Sequence, residues 1–354
     1  YREYVRRYCD FVHEKSPTAL VCSNWAQTMH DPGAPEVPTD WISGDNPHSG
    51  GIDRGRCEAR FLSTRGKPWD IMLWGFYKSD DDGPWIVKPL DMLKQEAAVI
   101  LAFGGNLQVY ENPGSVRDGR LAHWRMKRLG ELGRWVKARR EVCQNTESFE
   151  QAAVLLSEHH VLANLKEDIF WSADVDAARG AVYAMLENHY GVDLLDEWAL
   201  KPRLDRYRLV IAPEQDEMSD EMVEALKSYV RSGGKLLLTG AAALDRFGGE
   251  FLGVAGEKAD ANATYHVGAL DGAVPIRNAN WRLVDCSSAE SIKPLYKNMV
   301  LDELPYKAAV VNTVEKGAVA YVPCDIMKSF GAERSAILRA FIGDIVEELA
   351  GPMD

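Results

Sequence analysis

The sequence lacks any apolar run of about 18 residues, the length a helix needs to cross a bilayer, so no membrane partner is expected. It also lacks a basic surplus: Lys and Arg total 41 against 53 Asp and Glu, a net charge of -12, with no basic stripe. Phosphate neutralisation needs clustered cations, so no nucleic acid is expected as a partner, and neutral sugars, small molecules or proteins fit better. Cysteine is scarce. The six, at 9, 22, 57, 143, 286 and 324, include no CxxC pair and are too few for a disulfide scaffold. They are expected as buried free thiols in a reducing, cytoplasmic setting. The histidines, at 13, 30, 48, 123, 159, 160, 189 and 266, show neither HxxxH nor HExxH spacing, so no metal is expected. Gly104-Gly105 and Gly233-Gly234 are pairs rather than a GxGxxG or phosphate-cradling loop, and no cofactor is expected. The chain opens at Tyr1, without an initiator methionine or a signal-like segment, so an upstream portion is expected.

What is present is an ordinary globular mix: 354 residues, 46% hydrophobic and 27% charged, enough for two domains. Residues 1–15 carry a helical apolar stripe that Ser16-Pro17 ends. Strands are expected at 18–25, 40–46, 69–76 and 104–112, with helices at 90–104 and 123–141 and a loop opening at Gly50-Gly51. A helix followed by strand and loop units, with chemistry-bearing residues at strand ends, suits the C-terminal part of a (β/α)8 barrel over residues 1–146. Four strands cannot close such a barrel, so strands preceding Tyr1 are expected.

A polar stretch at 142–151 marks a boundary. Beyond it, strands at 152–158, 207–214 and 235–240 alternate with helices at 174–191 and 219–234, and a hairpin at 308–324 precedes a helix at 335–350. Ser219 is placed to cap its helix and Gly233-Gly234 to end it. Alternating β and α units argue for a flavodoxin-like doubly wound domain over 152–350.

Carboxylates carry the chemical signal. Asp45, Glu58, Asp70 and Glu111 all fall in the first part, at or just after expected strand ends. Retaining glycosidases need two carboxylates about 5–5.5 Å apart, one with a raised pKa. Trp25, Trp41, Trp69, Trp74, Phe76 and Trp85 lie nearby in sequence and offer faces for a sugar ring. Ala241, Ala242 and Ala243 stand where an amidotransferase-like domain would place a nucleophile, so the second domain is expected to do no such chemistry.

In order, the chain shows Glu58, Trp69-Asp70, Trp74-Gly75-Phe76, a helix, Gly104-Gly105-Asn106-Leu107, Asp118-Gly119 and LGELGRWVKARRE. This order resembles the C-terminal part of the barrel of α-L-fucosidases, glycoside hydrolase families 29 and 151. Asp70 stands in place of the Glu of the family's Trp-Glu pair and Phe76 in place of Tyr. The resemblance implies a retaining exo-glycosidase acting on terminal α-L-fucosides. It makes Glu58 the general acid/base, places the nucleophilic Asp upstream of residue 1, and lines the sugar site with Asn24, Trp25, Asp45, Asp70 and Trp74. Residues 207–213 and SDEMVEALKSYVRSGGKLLLTG resemble the amidotransferase-like trimerisation domain that follows the barrel in family 42 β-galactosidases, which implies a homo-oligomer through the second domain. The alternatives are a β-galactosidase-like enzyme, disfavoured by the absence of Glu from WDIMLWGF, and a non-catalytic sugar-binding or assembly protein with a degenerate barrel.

Overall fold

The computed structural model describes residues 1–47, 51–79, 82–112, 119–144, 146–149, 151–166, 173–258, 263–277 and 279–352. The chain divides into two compact units, Tyr1–Ser148 and Phe149–Asp354. Among the described residues no helix is long and apolar enough to cross a membrane. All six cysteines are free thiols; Cys9, Cys57 and Cys324 are buried and the others half-buried.

The first unit runs α1 (Arg2–Lys15), β1 (Ile42–Asn46), α2 (Gly51–Ser63), β2 (Trp69–Trp74), β3 (Phe76–Lys78), β4 (Trp85–Val87), α3 (Leu90–Ala102), β5 (Asn106–Tyr110), α4 (His123–Lys137) and α5 (Arg140–Cys143). Strands β1, β2 and β5 form a parallel three-stranded sheet in that order, and β3 pairs with β4 as a small antiparallel ribbon. The twofold alternation of strand side chains sorts this sheet into two faces. Ile42, Ile71 and Leu73 turn toward α2 and α3, where Phe61, Leu62, Leu93, Ala97 and Ile100 complete a fully buried apolar layer. Gly44 lies on that face too, and a Cβ there would meet Leu62 Cδ1 at 2.9 Å. The opposite face carries Ser43, Asp45, Asp70, Met72, Trp74, Gln108 and Tyr110. This sheet therefore has one dry face and one that bears the chemistry.

Three expectations are corrected here. Residues 18–25 form no strand: Asn24 alone bridges Ser43, while Val21 is bound to one residue, its N–H donating to the Asp40 side chain at 2.6 Å and its carbonyl accepting the Asp40 N–H at 2.8 Å. The stretch from Gly51 is helix α2, not loop; Gly50 lies outside the described residues. The closing helix is interrupted after Lys137 and resumes at Arg140.

The second unit contains β6 (Ala152–Leu155), α6 (Glu158–Ala163), α7 (Asp176–Glu187), β7 (Val192–Leu195), α8 (Glu197–Leu200), β8 (Leu209–Pro213), α9 (Asp220–Arg231) and β9 (Lys235–Thr239). It continues with α10 (Ala243–Phe247), α11 (Gly249–Leu252), β10 (Val254–Lys258), β11 (Tyr265–Ala269), β12 (Gly272–Ile276), β13 (Arg282–Cys286), β14 (Glu290–Tyr296), β15 (Glu303–Val314), β16 (Gly317–Val322), α12 (Ile326–Glu333) and α13 (Ala336–Ala350). Nine strands form one sheet in the order β12-β11-β14-β15-β16-β9-β8-β6-β7. Its β7-β6-β8-β9-β16 portion is parallel and the rest antiparallel. Helices α7 and α13 cover one face of the parallel portion, while α8 and α9 pack on the other with Leu155, Val210, Leu236, Leu238 and Tyr321. Strands covered on both faces are apolar throughout, as LVIA and LLL are. Ser219 Oγ accepts the Met222 N–H at 3.0 Å and caps α9.

Candidate functional site

The site grows from the C-terminal end of β1, on the face of the sheet turned away from the helices. Asp45 is 5% exposed there. Its Oδ1 accepts the Trp74 indole N–H at 2.7 Å, and the Asn24 and Trp25 side chains also bond to the carboxyl. Burial pushes this carboxyl up to about 6, against the pull of these bonds and the Arg54 charge. Trp25 reaches it from an unusual backbone, at φ 71, a region that bulky residues occupy only when their surroundings enforce it. The Arg54 guanidinium stands 5.5 Å from the Trp25 ring and 2.9 Å from His30 Nε2, and His30 meets Trp25 edge-on at 4.6 Å. Of the six nominated residues, the structure thus gathers Asn24, Trp25, Asp45 and Trp74 around one carboxyl.

Asp70 lies one layer deeper. It lies second in β2, near its start rather than its end, and pairs in register with Ser43, whereas Asp45 pairs with Met72. Ser43 Oγ donates to Asp70 Oδ1 at 2.7 Å, and Gln108 Nε2 donates to Ser43 Oγ at 3.1 Å. Burial raises the Asp70 carboxyl, and the bond from Ser43 opposes that rise.

Glu58 is placed elsewhere. It lies in the middle of α2, 2% exposed, with Oε1 about where it would touch a Cβ on Gly44, at 3.1 Å. The Cβ direction at Gly44 is opposite to that at Asp45. Glu58 therefore sits between helix and sheet, on the far side of β1 from the gathered residues. The general acid/base role implied for Glu58 does not fit this position. A carboxylate seated in the helix layer has no line to a ligand on the sheet's other face.

Aromatic rings flank Asp45. Trp74 lies 5.4 Å from Phe76 and 5.3 Å from Tyr110, and Phe76 meets Trp85 at 5.1 Å. Trp85 and Tyr110 remain 47% and 43% exposed, so this wall offers ring surface to a ligand. Beneath it, Gly75 is required by a close approach: a Cβ would fall 2.3 Å from Glu111 Oε1. Glu111, the last of the four carboxylates singled out above, is bound by the Arg128 and Arg125 guanidiniums and is not part of the gathered group. A second buried pair, Lys88 Nζ to Glu96 Oε1 at 2.8 Å, also reaches Asn46 Nδ2. Asp118 lies outside the described residues, as does His48.

In the second unit, Gly240 leads into the three alanines and the start of α10. At the starts of α6 and α8, among the described residues, Glu158, His159 and Glu197 hold their ligand atoms within 4.8 Å of one another, a grouping that sequence spacing could not reveal. Serine hydroxyls from Ser157 and Ser219 donate to the two Glu197 oxygens.

A family model described as a β-galactosidase trimerisation domain matches residues 174–246. No curated protein matches the chain. Several solved structures do. The α-L-fucosidase isoenzyme 2 from Paenibacillus thiaminolyticus is 18% identical with a TM-score of 0.77, over 99% of this chain and 55% of that one. The β-galactosidase from Bacillus circulans sp. alkalophilus is 15% identical with a TM-score of 0.72, over 98% and 56%. The exo-β-1,4-mannosidase from Opitutaceae bacterium strain TAV5 is 13% identical with a TM-score of 0.67, over 100% and 70%. The chain spans about half the length of the first two. The likeness at these identities is one of fold: the chain has the mixed α/β fold of these glycoside hydrolases, and it resembles both the α-L-fucosidase and, in its second unit, the trimerisation-domain family.

Proposed function

We propose that this chain carries part of the active site of a glycosidase that removes terminal α-L-fucose, with Asp45 as the proton-transferring group. The observation that carries this reading is a single carboxyl, raised to about 6, bonded to two tryptophans and one asparagine and flanked by an open aromatic wall. A carboxyl with a pKa of about 6 keeps about a tenth of its molecules protonated at pH 7, about a hundredfold more than an ordinary aspartic acid. That proton is available to the glycosidic oxygen as the bond to the leaving group breaks, and the resulting carboxylate can later take a proton from water. The exposed rings of Trp85 and Tyr110 would stack on the apolar face of the sugar, and Asn24 would orient a hydroxyl.

In this reading the first unit is the C-terminal part of a (β/α)8 barrel, and the nucleophilic Asp lies upstream of Tyr1. Asp70 is tied to Ser43 a layer deeper and takes a structural part. The second unit is flavodoxin-like, which its 2-1-3-4-5 order of parallel strands supports, and serves a homo-oligomer. A second reading, a β-galactoside substrate, is favoured by the family-model match at 174–246. The test is hydrolysis of a panel of aryl glycosides by the full-length protein. Release from the α-L-fucoside, lost in Asp45→Asn, supports the first reading; release from the β-galactoside alone supports the second; no release from any aryl glycoside refutes both.

A further inference from the structure

Trp25 reaches Asp45 from a backbone that needs holding. Both Trp25 and Gln27 have positive φ, 71 and 64, and both are buried. Two non-glycine residues so close together do not stay in the left-handed region on their own preferences. The surrounding bonds show what keeps them there. Asp31 Oδ2 accepts the Gln27 N–H at 3.1 Å, and Thr28 Oγ1 donates to the Trp25 carbonyl at 2.8 Å.

Asp31 is itself gripped by α1. Arg2 Nε donates to its two carboxylate oxygens at 3.0 and 3.2 Å. The other arms of the same guanidinium donate to the carbonyls of Asp31 at 3.0 Å, Pro32 at 2.5 Å and Ala34 at 3.4 Å. One rigid fork thus binds a carboxylate and three carbonyls of the loop at once, a geometry lysine cannot reproduce. The chain of contacts runs from α1 through Arg2, Asp31 and Gln27 to Trp25, and from Trp25 to Asp45.

We propose that Arg2 and Asp31 are positioning residues: their ion pair fixes the strained Trp25–Gln27 turn and thereby seats the Trp25 indole against Asp45. For its catalytic meaning this rests on the reading of Asp45 given above; its structural part does not. Trp25 both bonds the carboxyl and excludes water from it. Burial raises that carboxyl while the Trp25 bond pulls it back, so releasing Trp25 moves its midpoint. The groups acting on Asp45 are Trp74 from β2, Asn24 and Trp25 from the loop, and Arg54 from α2, which also contacts His30.

The test is a carbon-13 NMR titration of the Asp45 side-chain carboxyl in the full-length protein between about pH 4 and 8, which needs no activity. The wild type is expected to show a transition with a midpoint near 6 that Asp45→Asn abolishes. Asp31→Asn and Arg2→Lys should both shift that midpoint, in the same direction. Leu93→Ala, a core truncation in α3, should lower thermal stability and leave the midpoint in place. If Asp31→Asn does not fold, Thr28→Val probes the same turn and should shift the midpoint in the same direction. An unmoved midpoint in both the ion-pair and the Thr28 variants, an equal shift in Leu93→Ala, or a transition that survives Asp45→Asn would each overturn the proposal. A protein that cleaves no glycoside yet shows the Asp31→Asn shift upholds the positioning role and removes only the glycosidase reading.

Discussion

Replacing Asp45 by Asn should make the first unit more stable at neutral pH. The carboxyl sits at about 6 in the folded protein, and an unfolded aspartate sits near 3.9. The folded state therefore holds the Asp45 proton more tightly than the unfolded state does. That linkage favours the fold fully below about pH 4 and is lost as pH rises through about 6. Two units at about 1.4 kcal/mol each give roughly 3 kcal/mol as the ceiling of the loss. Asparagine is nearly isosteric, still accepts the Trp74 N–H, and cannot ionise, so it escapes the loss. The stability difference between variant and wild type should be small near pH 4 and reach about 2–3 kcal/mol in favour of the variant near pH 7.5. Urea unfolding at a series of pH values measures it. Seven of the ten tryptophans, at 25, 41, 69, 74, 85, 124 and 135, lie in the first unit and report its transition. A variant no more stable than the wild type near pH 7.5 would refute the reasoning, because it would mean that Asp45 ionises in the fold without cost.

Three further outcomes follow from the same geometry. Trp74→Phe keeps the ring in the aromatic wall but removes the 2.7 Å donor to the ionised carboxyl, so the Asp45 midpoint should rise by about one unit, read by carbon-13 NMR of the side-chain carboxyl. Glu58→Gln, on the far side of the sheet, should leave that midpoint unchanged in the same measurement. Lys88→Met strands Glu96 in a fully buried position and should cost about 3–5 kcal/mol in denaturant unfolding, with Lys88→Met/Glu96→Leu recovering much of it.

Much of the fold could be read from sequence where burial leaves a simple pattern. LVIA and LLL stand out because strands covered on both faces are apolar at every position. The residues around Asp45 follow from the family resemblance, which implies Asn24, Trp25 and Trp74 as its companions, and the structure places all three around its carboxyl. Helix α2 was not legible, since Gly51 and Gly55 weaken helical propensity and the arginines at 54, 56 and 60 obscure the apolar stripe. That misreading displaced Glu58, a carboxylate that looks like a strand-end group until the helix places it against Gly44. The stretch 18–25 reads as a strand, but Val21 is bonded to the side chain and the N–H of Asp40, a tertiary contact with no local signature. Arg54 and His30 joined the site unannounced for the same reason: 24 residues separate them, and only the turn at Trp25 brings the arginine to the ring.

The most direct test of Asp45 as the proton-transferring group is the pH dependence of kcat/KM for an aryl α-L-fucoside, measured with the full-length wild type and Asp45→Asn. The account predicts that wild-type activity falls as pH rises through about 6, and that this limb is absent from whatever activity Asp45→Asn retains. The same falling limb in both proteins would contradict it.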